Sequence, residues 1–525
     1  MKYEPQTIQR NSIGDAFARA ALRYKTRTAL IFSDRVWSFA ALLEAADRVA
    51  TWLTEAGLTT GDRVAAYGGN SDAFLILWLA CARGGFVHVP VNYALVGREL
   101  HYIISHSGAR ALFYDPRLEA KIQDISAELP DLILTGTLLE GQGPDILTIA
   151  QDHSLAISPH LGVDVTDDHL AQLLYTSGTT AAPKGAMMTH RALLAEYTSA
   201  IIELSFQEQD ISLAALPLYH SAQLHVFTTP HLLVGTTTYL IESPTPARCL
   251  RMIATHQITS FFAPPTVWIS LLRDPQFSHF DLSSLRYIFY GASIMPVPVL
   301  QEMRERLPYA KPYNCYGQSE IGPLATVLRP QEHDQRPASA GRPVFNVQTR
   351  LVDLEMNDVS PGTQGEIVHR SPQLLVGYWR NPEETEAAFK GGWFHSGDIG
   401  IADAEGYITV VDRVKDVIKT GGSIVSSREV EEEIFRHPAV SEVAVVGLPH
   451  QKWIEAVTAF IVLRDQMQVS EAELLDYLKP LLAPYKIPKQ ILFVDEIPRN
   501  TTGKILKREL RVNYKDLYQL STLKL

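Results

Sequence analysis

Residues 173–191 combine the side chains that a protein needs to hold a phosphate group. An apolar run ending at Tyr175 is followed by Thr176, Ser177, Gly178, Thr179 and Thr180, and then by Lys184. Small residues let backbone N–H groups approach an anion, hydroxyl groups donate to its oxygens, and a lysine supplies positive charge. The stretch therefore predicts a phosphate loop after a strand, although a Ser/Thr-rich turn without function has the same composition.

The residues around Lys184 distinguish this loop from the phosphate loop of ordinary kinases and motor ATPases. That loop requires a glycine directly before its lysine and a serine or threonine directly after it. Here Pro183 precedes the lysine and Gly185 follows it. The sequence therefore indicates a nucleotide-binding loop of another kind, with a helix that begins near Thr189.

A second cluster, residues 313–320 with the sequence YNCYGQSE, suits a nucleotide and its cation. The ring of Tyr316 can stack on a purine, and Gly317 lets the backbone turn close by. A carboxylate beside a triphosphate is repelled unless a cation lies between them, which makes Glu320 a candidate Mg²⁺ ligand. Without the loop upstream, a solvated surface carboxylate would be the better interpretation of Glu320.

Two further motifs lie nearer the carboxyl end of the chain. Asp398 ends the run GWFHSGD, and its two oxygens match the two vicinal hydroxyls of a ribose. Residues 412–419 are dense in charge, and Lys504 lies in a Thr-Thr-Gly-Lys loop. Taken alone, these segments are typical of an exposed linker and of a surface lysine.

Together and in this order, the motifs resemble those of the adenylate-forming superfamily, in particular its acyl-CoA synthetase branch. Peptide-synthetase adenylation domains and luciferases are other members of that superfamily. The resemblance covers nearly the whole chain. The chain departs from the usual family pattern at Ala181 (usually Gly), Ser319 (usually Thr), Ile424 (usually Asn) and Ser426-Ser427 (near a usual Tyr-Pro pair).

The resemblance implies a role for each matching residue. The catalytic residues would be Lys504, Glu320 and Thr179, with Glu320 as the metal ligand and Lys415 as the hinge residue. The nucleotide would be bound by Thr176, Ser177, Gly178, Thr179, Thr180, Lys184, Gly291, Ala292, Ser293, Asn314, Cys315, Tyr316, Gly317, Gln318, Ser319, Asp398 and Arg413. The acid would be bound by His220, Tyr290, Gly291 and Gly317.

The implied reaction uses ATP, Mg²⁺ and coenzyme A. A carboxylic acid would attack ATP to give an acyl-adenylate and pyrophosphate, and the acyl group would then pass to the thiol of coenzyme A. A medium- or long-chain fatty acid is the first expectation for the acid, and an aryl acid is the second. An amine acceptor, giving an amide, is a rival, and so is a nucleotide-binding relative without catalysis. The retention of Lys504, Glu320 and Asp398 argues against the non-catalytic relative.

The implied fold is α/β: a large N-terminal domain of mixed parallel β-sheets flanked by helices, a small β subdomain, and a small mobile α+β lid domain. Residues 1–411 would form the N-terminal domain, 412–419 the hinge and 420–525 the lid. The alternation of helical and strand patterns independently favours a parallel sheet with crossover helices. Helices are predicted over 39–53, 71–81 and 430–435, and strands over 63–66, 86–91, 214–217, 261–266, 287–292, 351–353, 366–369 and 443–447.

Composition limits the other functions. Of 525 residues, 46% are hydrophobic and 20% charged, as in a folded protein of several domains. The net charge of −11 argues against a nucleic-acid surface, which needs clustered Lys and Arg. Cys81, Cys249 and Cys315 are far apart in the sequence and show no metal-binding or disulfide spacing. We therefore expect them to be buried free thiols of a protein in a reducing compartment. We expect a cytoplasmic enzyme with at most peripheral membrane contact, and a homodimer is left open.

Overall fold

The structure is a computed structural model that describes residues 9–126, 128–129, 131–176, 183–293, 295–413, 416–420, 423–499 and 505–520. Its strands are β1 (Thr28–Phe32), β2 (Arg35–Ser38), β3 (Arg63–Tyr67), β4 (Val87–Val91), β5 (Ala109–Tyr114), β6 (Leu134–Thr137), β7 (Leu170–Thr176), β8 (Lys184–Thr189), β9 (Ile211–Ala214), β10 (Thr237–Leu240), β11 (Ser260–Phe262), β12 (Tyr287–Gly291), β13 (Lys311–Gly317), β14 (Leu324–Leu328), β15 (Arg342–Pro343), β16 (Gln348–Val352), β17 (Gln364–Arg370), β18 (Phe394–Ala402), β19 (Ile408–Arg413), β20 (Ile418–Thr420), β21 (Ser423–Val425), β22 (Val440–His450), β23 (Ile454–Leu463) and β24 (Gln490–Phe493).

The α-helices are α1 (Ile13–Arg23), α2 (Phe39–Glu55), α3 (Asp72–Gly84), α4 (Gly97–Ser107), α5 (Glu119–Ser126), α6 (Ile146–Gln151), α7 (His190–Glu203), α8 (Thr229–Val234), α9 (Pro246–His256), α10 (Pro265–Arg273), α11 (Val297–Arg306), α12 (Pro382–Ala388), α13 (Ser427–Phe435), α14 (Glu471–Leu478), α15 (Lys507–Asn513) and α16 (Leu517–Leu520). A π-helix occupies Ala222–Thr228. In the part of the chain that the structure describes, no helix is long and apolar enough to span a bilayer.

A six-stranded sheet carries the segment that leads into the predicted phosphate loop. Its strand order is β6-β5-β3-β4-β7-β8. The strands from β6 to β7 are parallel, and β8 is antiparallel to β7. Helix α3 connects β3 to β4, so the predicted parallel sheet with a crossover helix is confirmed. Thr176 is the last residue of β7.

A nine-stranded sheet carries the YNCYGQSE segment. Its order is β15-β14-β13-β12-β11-β9-β10-β1-β2, parallel from β13 to β1 and antiparallel at both edges. Gly291 of β12 lies opposite Cys315 of β13. The residues predicted to surround adenine therefore lie at the carboxyl ends of adjacent parallel strands, where ligands of open α/β sheets usually bind.

Two smaller sheets complete the chain. Strands β16 to β19 form an antiparallel sheet, which confirms the predicted small β subdomain. Beyond the hinge region, the order is β21-β20-β23-β22, with β24 parallel to β23. Helices α13 and α14 pack on this sheet, as expected of an α+β lid.

Helix α3 shows why the core helices were predictable. The hydroxyl of Ser71 accepts the N–H of Phe74, and Gly85 ends the helix in the left-handed conformation, with φ 78°. Every residue of α3 except Arg83 is buried. A helix that is apolar on all faces is typical of one inside a core.

One predicted strand is displaced. The strand predicted over 214–217 lies at Ile211–Ala214. Beyond Ala214, the side-chain amide of Asn70 donates to the carbonyl of Leu216 at 2.9 Å and accepts the N–H of Leu218 at 2.8 Å. These backbone groups thus bond a side chain, and not a neighbouring strand.

The strand predicted over 261–266 is shorter for a different reason. Strand β11 ends at Phe262, and helix α10 begins at Pro265. The fixed φ of proline suits the first position of a helix, where its missing N–H is not needed. The second proline of the Pro264-Pro265 pair therefore starts a helix, which ends the strand early.

Candidate functional site

Glu320 links the two large sheets. It lies in a short 3₁₀ helix directly after β13, and its side chain is buried. The hydroxyl of Thr176, at the end of β7, donates to Glu320 Oε1 at 3.0 Å. The hydroxyl of Tyr378 donates to the same oxygen at 3.3 Å. The predicted metal ligand thus meets the first residue of the predicted phosphate loop, 144 positions away in the sequence.

The groups around Glu320 suit a hard cation that arrives with a nucleotide. The side-chain atoms that meet there are a carboxylate and two hydroxyl oxygens. Mg²⁺ is usually held by one or two protein carboxylates together with phosphate oxygens and water. Within the described ranges, no group of three or more His, Cys, Asp or Glu residues could hold a metal ion alone. The residues therefore fit Mg²⁺ shared with a triphosphate better than a cation held by protein alone.

Lys184, the first residue of β8, is paired with a carboxylate in this structure. Its ammonium forms an ion pair with Glu384 and lies 5.2 Å from the centre of the Tyr378 ring. Glu384 is in the first turn of α12, and its N–H donates to Oδ1 of the capping residue Asn381 at 3.2 Å. The lysine expected to meet phosphate is therefore held against α12.

Tyr316 and Asp398 meet at the edge of the small β subdomain. The Tyr316 hydroxyl donates to Asp398 Oδ2 at 2.7 Å, and the Asp398 side chain is 4% exposed. The N–H of Asp398 donates to Ser396 Oγ at 3.0 Å. Asp398 of β18 is opposite Arg413 of β19 in the sheet register. The structure thus brings together the predicted adenine-stacking ring and the predicted ribose carboxylate.

The ends of β12 and β13 tolerate no side chain at two positions. A Cβ atom on Gly291 would lie 2.1 Å from the carbonyl oxygen of Cys315. A Cβ atom on Gly317 would lie 1.8 Å from the carbonyl oxygen of Pro323. Such distances are impossible, so both glycines are required by close backbone approach.

The remaining residues of these strand ends line the same edge. Ala292 takes the left-handed conformation with φ 62°, which is strained for a residue with a side chain, and Ser293 follows it. Asn314 Nδ2 donates to the carbonyl of Ser339 at 2.8 Å, so its amide bonds the backbone.

The predicted acid-binding residues fall into two environments. The hydroxyls of Ser221 and Ser319 share a hydrogen bond of 2.8 Å, which places His220 beside the YNCYGQSE segment. Burial lowers the pKa of His220 to about 4, so its ring is neutral at neutral pH. Its Nε2 atom and the Nε2 atom of Gln318 are buried without hydrogen-bond partners in the described part of the chain.

The side chain of Tyr290 lies in the core. It has no exposed surface, and its hydroxyl hydrogen-bonds to His333 Nε2 at 2.9 Å. Burial also raises the pKa of this hydroxyl. Tyr290 is therefore packed behind the strand end that it was predicted to line with its side chain.

Some predicted site residues cannot be placed. Ser177, Gly178, Thr179, Thr180, Lys415 and Lys504 lie outside the described residues, and Arg413 is described only by its backbone. Their assigned roles stay predictions.

Sequence reasoning missed Tyr378 and Glu384. A local signal existed, because Asn381 followed by Pro382 is a typical start of a helix and puts Glu384 in its first turn. Nothing local indicates the partners, since Tyr378 is 58 positions from Glu320 and Glu384 is 200 positions from Lys184.

The lid contacts the end of the small β subdomain through Asp412. Asp412 Oδ2 accepts the N–H of Ser427 at 2.7 Å and its hydroxyl at 2.9 Å. Lys507, at the start of α15, forms an ion pair of 2.8 Å with Glu431 and also donates to Ser427 Oγ. Residues just after the Thr-Thr-Gly-Lys loop are thereby tied to the hinge region.

Two family models and several relatives match nearly the whole chain. The AMP-binding enzyme model matches residues 17–379, and the AMP-binding enzyme C-terminal domain model matches residues 429–504. A feruloyl-CoA synthase of Amycolatopsis sp is 34% identical over 505 residues, covering 96% of this chain and 99% of that protein. A long-chain-fatty-acid–CoA ligase of Escherichia coli O157:H7 is 33% identical over 531 residues, covering 95% of this chain and 94% of that protein.

Solved structures agree with these similarities. ATP-bound MatB from Rhodopseudomonas palustris gives a TM-score of 0.88 at 32% identity, over 96% of this chain and 99% of that one. Apo MatB, at the same identity and coverage, gives 0.77. The amide bond synthetase McbA from Marinactinospora thermotolerans gives 0.85 at 27% identity, over 95% of this chain and 99% of that one. This chain thus superposes better on the ATP-bound form of MatB than on its apo form.

Proposed function

This chain belongs to the AMP-binding enzyme family and is an AMP-forming acid–thiol ligase, and we propose that it joins a largely apolar carboxylic acid to coenzyme A. The observation that carries this proposal is the hydrogen bond between Thr176 and Glu320, which joins the strand before the phosphate loop to the candidate cation ligand. The Tyr316–Asp398 contact supports a nucleoside site beside it.

In the first half-reaction, an oxygen of the acid attacks the α-phosphorus of ATP. An O–P bond forms, the bond to the β-phosphate oxygen breaks, and pyrophosphate leaves. Two anions must approach each other, so nearby positive charge and hydrogen-bond donors lower the barrier. We assign this role to Lys504 and to the hydroxyl of Thr179. Mg²⁺ held by Glu320 would offset the charge of the triphosphate.

The nucleoside is proposed to lie between the strand ends and the small β subdomain. The ring of Tyr316 would stack on adenine, with Gly291 and Ala292 as a wall that has little side-chain bulk. Asp398 would accept both ribose hydroxyls. The hydroxyl of Tyr316 already donates to one Asp398 oxygen, which fixes the carboxylate before the ribose arrives.

In the second half-reaction, the sulfur of coenzyme A attacks the acyl carbon of the adenylate. A C–S bond forms, the C–O bond to AMP breaks, and the thiol proton is lost to solvent or base. We propose that residues 420–525 rotate about the hinge at 412–419, so that Lys504 leaves and the thiol enters. The match of the C-terminal family model to residues 429–504 supports a separate lid.

Two classes of carboxylic acid are candidates for the substrate. A medium- or long-chain fatty acid is our first candidate, supported by the Escherichia coli ligase at 33% identity. An aryl acid is the second, favoured by the feruloyl-CoA synthase at 34% identity over 99% of that protein. No residue of the described site selects between them.

The test is an acid panel assayed for pyrophosphate exchange into ATP and for thioester formation. Octanoate, palmitate, ferulate and indoleacetate would each be supplied with Mg·ATP, with and without coenzyme A. We expect exchange without coenzyme A and thioester plus AMP with it, for at least one apolar acid. The acid with the highest kcat/KM identifies the substrate class.

Two results would contradict the proposal. Absence of acid-dependent exchange with every acid would overturn adenylation itself. Amide formation and AMP release with an amine, but no thioester with coenzyme A, would overturn the acceptor and favour an activity like that named for McbA.

A further inference from the structure

The segment 375–385 runs past both halves of the candidate site, and we refer to it as the strap. It is hydrogen-bonded along β8, the strand that follows the phosphate loop. The N–H of Val376 donates to the carbonyl of Met187, and the N–H of Met187 donates to the carbonyl of Gly377, both at 3.0 Å. The N–H of Trp379 donates to the carbonyl of Gly185 at 2.8 Å. Residues 376–379 of the strap therefore pair with β8 through a short antiparallel bridge.

The strap holds Glu320 at two points. The N–H of Leu375 donates to the backbone carbonyl of Glu320 at 2.8 Å. Three residues later, the hydroxyl of Tyr378 donates to Glu320 Oε1 at 3.3 Å. Because Glu320 is hydrogen-bonded at both its backbone carbonyl and its carboxylate, its side chain has little rotational freedom.

Tyr378 is itself fixed in place. It is 9% exposed, and its N–H donates to Thr385 Oγ1 at 2.8 Å. Thr385 Oγ1 in turn donates to the carbonyl of Asn381 at 2.8 Å. The Lys184 ammonium lies over the Tyr378 ring while paired with Glu384 of the same strap. The position of Tyr378 is thus set by the C-terminal end of the strap and by Lys184.

Both hydroxyl donors to Glu320 act on the same oxygen. Thr176 and Tyr378 donate to Oε1, and no hydrogen bond to Oε2 is present within the described ranges. Two donors on one oxygen hold the carboxylate plane and leave the other oxygen available to a cation. Holding a ligand in place before the cation arrives reduces the entropy lost on binding.

We propose that Tyr378 is a positioning residue that orients the Glu320 carboxylate for the cation bound with the nucleotide. The inference rests on the proposed function, because it takes Glu320 as the ligand of that cation. Tyr378 touches neither nucleotide nor acid in this account, and it acts only through Glu320.

The test compares two tyrosines that each donate to a carboxylate. Tyr378→Phe removes the hydroxyl bonded to Glu320 and keeps the ring beneath Lys184. Tyr407→Phe is the matched control, because Tyr407 is also buried and donates to Glu332 Oε1 at 2.8 Å, away from the site. The full-length enzyme is titrated with Mn²⁺ in the presence of α,β-methylene-ATP, and free Mn²⁺ is measured by electron paramagnetic resonance.

We expect Tyr378→Phe to raise the Kd of Mn²⁺ about fivefold, as fits loss of one long hydrogen bond to a charged group. Binding of α,β-methylene-ATP without metal should be unchanged. Tyr407→Phe should leave both constants within about twofold of the wild-type values. The Mg²⁺ concentration for half-maximal pyrophosphate exchange should rise in parallel with the Kd of Mn²⁺.

An unchanged Kd of Mn²⁺ in Tyr378→Phe would overturn the proposal, whatever its thermal stability. Were that variant unfolded, Thr385→Val would replace it, since it keeps the Tyr378 hydroxyl but removes both the acceptor for the Tyr378 N–H and the donor to the carbonyl of Asn381, which together set the position of Tyr378. A rise in the Kd of Mn²⁺ would then support the proposal and no change would overturn it. If the wild-type enzyme showed no acid-dependent pyrophosphate exchange, the proposed ligase reaction would be refuted. The Mn²⁺ titration would still test whether Tyr378 positions Glu320.

Discussion

Asp398, the proposed ribose ligand, accepts a hydrogen bond from a neighbouring tyrosine. The Tyr316 hydroxyl and the Asp398 carboxylate are 2.7 Å apart, and the carboxylate is almost fully shielded. A shielded carboxylate forms strong hydrogen bonds to hydroxyl donors because water competes less. One tyrosine can therefore serve both base and sugar, through its ring and its hydroxyl.

Replacing Asp398 by alanine should weaken ATP binding. Hydrogen bonds to a charged group contribute about 1.5–3 kcal/mol, so the KM for ATP in pyrophosphate exchange should rise about tenfold or more. Asp403→Ala is the control, because Asp403 is a partly exposed carboxylate of the same sheet region that pairs with Arg336. An unchanged KM for ATP in Asp398→Ala would place the ribose elsewhere.

Replacing Lys504 by alanine should separate binding from chemistry. If its ammonium offsets charge only as the carboxylate attacks, exchange should fall about a hundredfold or more while the Kd of ATP stays the same. Lys479→Ala, which removes an exposed lysine of the lid, should leave exchange unaltered. Near-normal exchange in Lys504→Ala would refute its assignment.

At the level of single residues, the sequence predicted a functional role only for residues whose type is unusual among their sequence neighbours. Four hydroxyls and a lysine around one glycine predicted a phosphate loop, and a carboxylate after an aromatic-glycine turn made Glu320 a candidate metal ligand. The role of Tyr378 was not predicted, because a tyrosine that follows a glycine is common in sequences without a functional site. Its partner Glu320 is distant in the sequence, and only the packing of the strap on β8 brings the two together.

A helix or strand could be predicted where its own sequence carried the hydrophobic pattern and the capping residues. Helices α2 and α3 carry apolar residues at helical spacing and caps such as Ser71, so both were predicted close to their observed bounds. Strand β8 was not predicted, because its sequence KGAMMT lacks alternation and β-branched residues before its last position. Its strand conformation comes from pairing with β7 on one side and the strap on the other.

Helix α15 is held in the lid by the buried Leu510 and by two ion pairs, Arg511–Asp416 and Lys507–Glu431. The Lys507 ammonium and the Glu431 carboxylate are mostly shielded from solvent. Burial raises the pKa of Glu431, which the nearby Lys507 opposes. Removing one partner of such a pair leaves the other charge poorly solvated.

Lys507→Met should therefore destabilise the lid by about 3 kcal/mol, within the range for breaking a buried pair. Amide hydrogen exchange in α13 and β22 should accelerate about a hundredfold, while exchange in the six-stranded sheet stays constant. Lys479→Met is the control, since its partner Asp476 is exposed and such pairs contribute little. Equal exchange rates in both variants would show that α15 is held by other contacts.

Across the whole molecule, neutral histidines are built into the interior. Burial lowers the pKa of each of His88 (about 3), His190 (about 4), His220 (about 4), His225 (about 3), His231 (about 3), His333 (about 4) and His369 (about 4). His225 bonds the Tyr197 hydroxyl through Nδ1 and Gln172 through Nε2. Such rings stay neutral while folded and gain a proton when the chain unfolds.

The sign of the pH effect follows from this difference. Between about pH 6.5 and about pH 4, these histidines are protonated in the unfolded chain and neutral in the folded one, so stability falls as the pH falls. Glu196, Glu431, Asp47 and Asp210 oppose this trend, because burial raises the pKa of each carboxyl and each releases a proton on unfolding. The seven histidines outnumber these four carboxyls, and we expect net proton uptake.

Replacing one buried histidine should reduce that uptake by one proton. His369 has no exposed surface and bonds Thr349 Oγ1 through Nδ1 at 3.0 Å, a contact that a glutamine amide can keep. We expect His369→Gln to take up about one proton fewer than the wild type when unfolded in denaturant near pH 5, measured in a pH-stat. His279→Gln, which replaces an exposed histidine, is the matched control. Equal uptake by His369→Gln and the wild type would mean that His369 is already protonated in the folded protein.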